Sequence, residues 1–206
     1  MNEIVLHSQV TLQKIISFYQ PFQPLLVFMT VTNDSLLVDR CLNRERKAYE
    51  ELLDRYESPI FNVAYRILND YDDAADVTQS VFIKAYEKLH TYNAKYKLFS
   101  WLYRIAINES LNYLNQRKKT VPIDDTLTND ERDISDTLDD QITNTMIQKA
   151  LMQLSIEYRT VITLYHFQNL SYKEMSFVLS IPEKTVKSRL FSARTLLREL
   201  MKREGM

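Results

Sequence analysis

The stretch that decides the fold is Ser171–Arg203, with the sequence SYKEMSFVLSIPEKTVKSRLFSARTLLRELMKR. Ser171 and Glu174 have the spacing of a capping box, which predicts the start of a helix. Ile181-Pro182 predicts its end, because proline cannot continue a helix but suits the first turn of the next one. Apolar residues then recur every three or four positions, which predicts one buried stripe on a second helix. They are Val186, Leu190, Ala193, Leu197 and Leu200.

The other faces of this second helix are basic. Its only acids are Glu183 and Glu199, whereas its basic residues are Lys184, Lys187, Arg189, Arg194, Arg198, Lys202 and Arg203. A short helix, a bend and a basic helix make the helix-turn-helix shape that enters the DNA major groove. The alternative is an ordinary amphipathic helix with a solvated basic face.

The composition favours an all-helical protein. The 206 residues are 45% hydrophobic and 26% charged, as in globular proteins, and suffice for one large domain or two small ones. One glycine and five prolines argue against sheets, whose turns need glycine. The single cysteine, Cys41, excludes an internal disulfide and a cysteine-rich zinc site, and it fits a reducing cytoplasm.

The net charge of −1 conceals a strong segregation along the chain. Residues 120–142 contain eight acids and only one basic residue, Arg132, whereas residues 143–206 contain ten basic and five acidic residues. A basic C-terminal part is typical of nucleic-acid binding, which the whole-chain charge would hide.

Helical periodicity predicts two small helical domains, at 34–118 and 143–206, the second being the helix-turn-helix domain. The acidic, poorly periodic segment 119–142 is predicted to be a flexible linker. Two interpretations are open. The segment is a solvated tether between the domains, or it has an active role. In the second case its negative charge competes with DNA for the basic faces, or the segment lies along the surface of a partner protein. Residues 1–33 form an extension that we expect to be dispensable. Its apolar run is too short and too interrupted to span a membrane, so no membrane insertion is expected.

Within the two domains the pattern predicts individual helices. They are 34–43, 45–57, 59–69, 72–89 and 97–117 in the first domain, and 143–153, 156–168, 171–181 and 182–203 in the second. Asp70 and Asp72 are candidate caps of the helix that follows them.

No pattern of catalytic chemistry is present. The three histidines are scattered, without the HExxH spacing of a zinc site. A phosphate-binding loop needs several glycines, and the only one is Gly205. We therefore predict no catalytic residue, no metal, no cofactor and no enzymatic activity.

A second informative stretch is Asn93–Lys119, NAKYKLFSWLYRIAINESLNYLNQRKK. Aromatic residues alternate with basic ones, as in proteins that stack unpaired bases and neutralise their backbone. Asn108 and Asn112 add side-chain amides that can read base edges. Arg117 is the first of three consecutive basic residues at the end of the stretch. The alternative is that several of these aromatics belong to the core, because Trp101 shares its helical spacing with neighbouring apolar residues.

Three motifs in this order resemble bacterial sigma factors of the extracytoplasmic-function (ECF) group, in the sigma-70 family. They are DVTQSVFIKAY (Asp76–Tyr86), FSWLYRIAIN (Phe99–Asn108) and TVKSRLFSAR (Thr185–Arg194). The resemblance implies a cytoplasmic transcription initiation factor. Its first domain would bind core RNA polymerase and melt the minus-ten element of promoter DNA, and its second would read the minus-thirty-five element. It also implies an anti-sigma factor as a partner.

The resemblance assigns residues to each role. Polymerase binding is expected of Asp76, Gln79, Ser80 and Phe82. Minus-ten binding is expected, from the resemblance, of Asn93, Lys95, Trp101, Arg104 and Asn108. The pattern of amides and basic residues on the same helix adds Asn112 and Arg117. Minus-thirty-five binding is expected, from the resemblance, of Lys184, Thr185, Lys187, Ser188, Phe191 and Ser192. The basic Arg194 on the same helix is added to this set.

The chain departs from the family pattern at three positions. Lys184 replaces a usual glycine and adds a positive charge, Ser192 replaces a common arginine, and Ser155 replaces a common proline at a helix boundary. The alternative function is an autonomous helix-turn-helix regulator with a helical interaction domain. Such a regulator has no use for the first two motifs.

Overall fold

A computed structural model describes residues 31–120 and 138–203 of the chain, with side chains described for 34–117 and 144–203. All regular elements in these ranges are helical, which confirms the predicted all-α fold class. Most of the predicted N-terminal extension and of the predicted acidic linker lies outside the described residues.

The described helices fall into a first and a second region. In the first, α1 (Val31–Leu42), α2 (Arg46–Leu68) and α3 (Tyr71–Lys88) precede a 3₁₀ turn (Leu89–Thr91) and α4 (Leu98–Thr120). In the second, α5 (Leu138–Met152) and α6 (Ile156–Ile162) lead through a π-helical turn (Thr163–Phe167) to α7 (Tyr172–Leu179) and α8 (Glu183–Arg203). Helix α5 begins inside the segment that was predicted as linker.

Helix α2 is continuous where the sequence predicts two helices. Pro59 lies inside it, and proline removes one helical hydrogen bond and crowds the preceding turn. Leu52 and Tyr56 before the proline, and Ile60 and Val63 after it, are all buried on one face. Burial of this shared stripe outweighs the local cost of Pro59, so the predicted break was wrong.

The corner between α2 and α3 is built by two short polar residues. Asn69 adopts the left-handed conformation at φ 58°, and its N–H donates to the Tyr65 carbonyl at 2.8 Å. Asp70 then caps α3 by accepting a hydrogen bond from the Asp73 N–H at 3.0 Å. The predicted cap at Asp70 is confirmed, whereas Asp72 lies in the first turn of α3.

The core of the first region is filled by aliphatic and aromatic side chains from all four helices. Cys41 of α1 belongs to this core, with 2% of its surface exposed, and burial raises the pKa of its thiol to about 11. The buried carboxylate of Asp34 accepts hydrogen bonds from the Tyr56 hydroxyl and from Arg55 Nη1, each at 2.9 Å. These bonds tie α1 to α2.

A buried arginine organises the second region. Arg159 Nε donates to the carbonyl of Leu151 at 3.0 Å, and Nη2 donates to that of Met152 at 2.9 Å. Its guanidinium thus satisfies carbonyls at the end of α5, which have no helical donor of their own. Burial lowers the pKa of Arg159 to about 10, so the group remains charged at neutral pH.

The two regions are in contact, which the sequence does not predict. Arg159 Nη1 donates to the carbonyl of Ile67, at the end of α2, at 2.6 Å. The Tyr103 hydroxyl of α4 donates to Gln168 Oε1 at 2.6 Å. The guanidinium of Arg66 lies 3.6 Å from the centre of the Phe167 ring. Helix α4 also packs along α7.

Candidate nucleic-acid interface

The helix-turn-helix has the geometry that the sequence predicts. The Ser171 hydroxyl accepts from the Glu174 N–H at 3.3 Å, and Glu174 Oε2 accepts from the Ser171 N–H at 2.8 Å, so the capping box is confirmed. At the turn, Ser180 adopts a left-handed conformation at φ 56°, and the Ile181 N–H donates to the Ser176 carbonyl at 3.3 Å. Helix α8 begins directly after Pro182.

Helix α8 buries its apolar stripe and exposes a mixed basic and polar face. All five predicted stripe residues are buried. Lys184, Lys187 and Ser188 are exposed near its N-terminus, and Phe191 is 62% exposed one turn further on. An exposed aromatic ring between basic and hydroxyl side chains can contact a thymine methyl while its neighbours contact base edges and phosphates. Thr185 and Ser192 are partly buried beside this face.

Arg194 lies against the protein instead of projecting freely. Its Nε donates to His166 Nε2 at 3.0 Å, and its guanidinium lies 4.5 Å from the centre of the Tyr165 ring. Burial, together with the nearby positive charge of Arg194, lowers the pKa of His166 to about 3. The imidazole is therefore neutral and can accept this hydrogen bond.

Two stacked tyrosine rings contact basic side chains of α8. The rings of Tyr165 and Tyr172 are 5.5 Å apart with an interplanar angle of 19°. Lys187 Nζ lies 5.4 Å from the centre of the Tyr172 ring, as Arg194 lies over Tyr165. Cations over aromatic faces are held in place by the ring electrons, so this pair of rings orients two basic side chains two helical turns apart. The role of these tyrosines could not be predicted from the sequence, because nothing in their spacing separates them from core residues.

The predicted minus-ten residues are spread along α4 and the loop before it. Asn93 and Lys95 are exposed in the loop, where the Asn93 Oδ1 accepts from the Lys95 N–H at 2.9 Å. Asn108 and Asn112 are exposed one turn apart on α4, on one face. Arg104, one turn before Asn108, is partly buried.

Trp101 lies in the core rather than on this face. Only 9% of its surface is exposed, and its ring meets that of Tyr92 edge-on at 5.8 Å. The alternative left open in the sequence, that several aromatics are core residues, therefore applies to Trp101 in this arrangement. Its ring is not available here for stacking on a base.

Arg117 is engaged in a network with α3. Its Nη1 lies 2.8 Å from Asp73 Oδ2, and the Tyr113 hydroxyl donates to the other oxygen of the same carboxylate. The hydrogen bond to Asp73 and burial together raise the pKa of Tyr113 to about 12. This network fixes the C-terminal half of α4 against α3.

The predicted polymerase-binding residues lie on α3 beside exposed apolar side chains. Asp76 and Gln79 are exposed, whereas Ser80 and Phe82 are partly buried. Ile83 and Tyr86 continue the line of Asp76 and Gln79 at helical spacing, and they are 61% and 56% exposed. We call the line Asp76, Gln79, Ile83 and Tyr86 the α3 face. Its last two members were not predicted from the sequence, since an apolar residue in a helix is usually assigned to the core.

Two kinds of site are absent from the part of the chain that the structure describes. No cluster of three or more His, Cys, Asp or Glu side chains there could hold a metal ion. None of the helices in the described ranges combines the length and the apolarity that crossing a bilayer requires.

Comparison with known proteins matches both regions of the chain. The family described as Sigma-70 region 2 matches residues 52–120, and the one described as Sigma-70, region 4 matches residues 144–197. The ECF RNA polymerase sigma factor SigW of Bacillus subtilis is 30% identical over 171 residues, which cover 77% of this chain and 91% of SigW. The chain belongs to the ECF group of the sigma-70 family. This confirms the resemblance carried by the three motifs.

Two further comparisons agree with this assignment. The RNA polymerase sigma-H factor of Pseudomonas aeruginosa is 34% identical over 179 residues, or 81% of this sigma factor and 92% of its relative. The sigma factor RpoE of Bartonella quintana, solved in complex with the anti-sigma factor NepR, is 26% identical with a TM-score of 0.63. That match covers 76% of this chain and 98% of RpoE. The sigma factor is thus a transcription initiation factor, and the reading as an autonomous regulator is not favoured.

Proposed function

We propose that this sigma factor binds core RNA polymerase through the α3 face, reads the minus-thirty-five element with α8, and captures unpaired minus-ten bases with α4 and its preceding loop. The observation that carries the proposal is the pair of matched regions in one chain, each presenting a polar face on a buried apolar scaffold. In this proposal the chain makes and breaks no covalent bond.

The second region supports readout of duplex DNA. Lys187 and Ser188 are exposed on the first turns of α8, where a recognition helix contacts base edges. Phe191 adds an apolar contact, and Lys184 adds a charge near the start of the helix. Arg194 is held by His166, so we assign it to orientation of the basic face and to phosphate contact. Ser192 and Thr185 lie beside this face, and we propose that they contact the sugar-phosphate backbone of the DNA.

The first region supports capture of single-stranded DNA. Asn108 and Asn112 present amides, while Arg104 and Lys95 supply positive charge along the same path. Moving a base out of the duplex costs a few kcal/mol, which contacts to the extruded base and its phosphate must offset. Trp101 and Arg117 fix α4 in the core and against α3, and we propose that they position the contacting residues.

Run-off transcription with purified core polymerase tests the proposal. We expect promoter-dependent transcripts only when this sigma factor is added to the core enzyme. Binding of promoter duplex by the free chain, without stimulation of transcription, would instead support the autonomous regulator.

Asn108→Ala is expected to slow open-complex formation by about fivefold, since one hydrogen bond to an unpaired base contributes on the order of 1 kcal/mol. Asn108 is exposed, so stability should not change. Stopped-flow fluorescence of a labelled promoter measures the rate. Asn43→Ala, which removes an exposed amide beyond α1, is the matched control. If Asn108→Ala also abolishes polymerase binding, the residue is structural and the assignment is wrong.

Ile83→Ala is expected to weaken binding to core polymerase by about tenfold, because burial of an aliphatic side chain at an interface contributes roughly 1–2 kcal/mol. Fluorescence anisotropy of the labelled sigma factor titrated with core enzyme measures the affinity. Leu42→Ala, a second exposed aliphatic residue at the end of α1, is the control. Equal effects of the two changes would argue against the α3 face as the main contact.

We propose two further properties on the basis of the relatives. RpoE was solved with the anti-sigma factor NepR, and we infer that this sigma factor has an anti-sigma partner too. Because its task is performed with RNA polymerase, we place it in the cytoplasm. Affinity purification of the tagged chain from its native host would reveal both core polymerase and the anti-sigma partner.

A further inference from the structure

The contact between α4 and α7 covers side chains in the base-capturing part of the first region. Tyr96, just before α4, stacks on Phe177 of α7, with ring centres 3.8 Å apart and an interplanar angle of 15°. The guanidinium of Arg104 lies 5.2 Å from the centre of the same Phe177 ring. The Phe177 ring of the second region therefore contacts both an aromatic ring, Tyr96, and a cation, Arg104, of the first region.

A carboxylate accompanies this ring. Glu174, one turn before Phe177 on α7, places Oε1 2.8 Å from Lys97 Nζ. Its other oxygen accepts the hydrogen bonds of the Ser171 cap. Burial raises the pKa of Glu174, but the hydrogen bonds from Lys97 and Ser171 outweigh it and lower the pKa. The carboxylate is thus ionised at neutral pH.

The side chains of Phe177 and Glu174 together make the kinds of contact that a nucleotide would make. Single-stranded DNA binds proteins by stacking bases on aromatic rings and by pairing phosphates with Lys and Arg. Phe177 provides the flat ring and Glu174 provides the negative charge, on a segment where Tyr96, Lys97 and Arg104 provide the complementary groups.

The arrangement is also incompatible with simultaneous contact to both promoter elements. Elements centred near minus ten and minus thirty-five are about 25 base pairs apart, or roughly 85 Å along the duplex. A compact chain of this length has a radius of gyration of about 17 Å, so its two regions cannot reach that far while they remain packed together. The α4–α7 contact must open before the promoter is bound.

We propose that Phe177 and Glu174 form an intramolecular nucleotide mimic that holds the free sigma factor in a closed, autoinhibited state. In this state α7 blocks binding of single-stranded DNA to α4, and core polymerase relieves the block by separating the regions. The proposal rests on the proposed function of α4 in minus-ten capture. It concerns the regulation of that site.

The test uses the full chain carrying Glu174→Gln and Phe177→Ala. Glutamine can maintain the capping box, so the first change removes the charge that faces Lys97 while it preserves the helix start. The probe is a fluorescein-labelled pool of single-stranded DNA of randomised sequence, titrated without polymerase. We expect the Kd of the double variant to fall about tenfold, since the apparent affinity scales with the fraction of open molecules.

A matched control is Glu157→Gln, which removes an exposed acid from the first turn of α6 in the same region. Its Kd should equal that of the unmodified chain. Fluorophores on Glu57→Cys and Glu199→Cys should report a longer distance between the regions in the double variant. Circular dichroism monitors folding, and if Phe177→Ala unfolds the chain, Glu174→Gln alone must still lower the Kd.

The outcomes separate this inference from the proposed function. Equal Kd values and equal inter-region distances for the folded variants and the unmodified chain overturn the autoinhibition, even where run-off transcription succeeds. With saturating core polymerase, the double variant should give as much transcript as the unmodified chain. If neither protein supports transcription, the proposed function fails, whatever the DNA affinities are.

Discussion

Replacing Arg159 with alanine is expected to lower the free energy of unfolding by about 3 kcal/mol, because several buried carbonyls lose a charged donor at once. The guanidinium donates to Leu151 and Met152 at the end of α5, and to Ile67 of α2. Urea-induced unfolding followed by circular dichroism measures the change.

Two variants calibrate this experiment. Lys149→Ala removes one positive charge from the exposed side of α5, and it should change stability by less than about 0.5 kcal/mol. Arg159→Lys keeps the charge but loses the planar fork, so its stability should fall between those of the alanine variant and the unmodified chain. A loss for Arg159→Ala no larger than that for Lys149→Ala would contradict the structural role of the guanidinium.

Lys187→Ala is expected to reduce discrimination at the minus-thirty-five element by roughly 1–3 kcal/mol, equivalent to about 5- to 150-fold in relative affinity. Lys187 is exposed on the second turn of α8 and is oriented by the Tyr172 ring. The measurement compares the holoenzyme's transcription from a promoter with that from variants mutated in this element.

The control for this prediction lies on the same helix. Lys202→Ala removes an equal charge from the last turn of α8, far from the groove-facing start. A loss of phosphate contact there should weaken binding to all sequences alike and leave discrimination unchanged. If Lys187→Ala behaves in the same way as Lys202→Ala, Lys187 contacts phosphates and does not read bases.

Much of the fold could be predicted because local signals and burial agree. The capping box at Ser171, the cap at Asp70 and the stripe of α8 are each determined within a few residues of sequence. Pro59 was misleading for the opposite reason. Its local preference for a break is overridden by tertiary burial of α2, which no window of sequence around the proline contains.

For the candidate site, the exposure of some polar side chains could be predicted from the sequence, but the packing around them could not. Lys187 and Asn108 are exposed where the family motifs place them. The exposure of Ile83 and the burial of Trp101 depend on which helix lies opposite, and hydrophobicity alone cannot distinguish them. The contact of Phe177 with Tyr96 joins positions 81 residues apart, so neither periodicity nor local spacing could indicate it.

The buried Cys41 has a consequence for the way in which this protein meets oxidants. Thiolate is the reactive form of cysteine, and with a pKa of about 11 roughly one molecule in ten thousand carries it at pH 7. Peroxide and disulfide reagents should therefore leave this thiol unmodified while the first region stays folded. The chain has no second cysteine with which to form an internal bridge. While it stays folded, this sigma factor should therefore pass through an oxidising challenge without a thiol of its own being chemically altered.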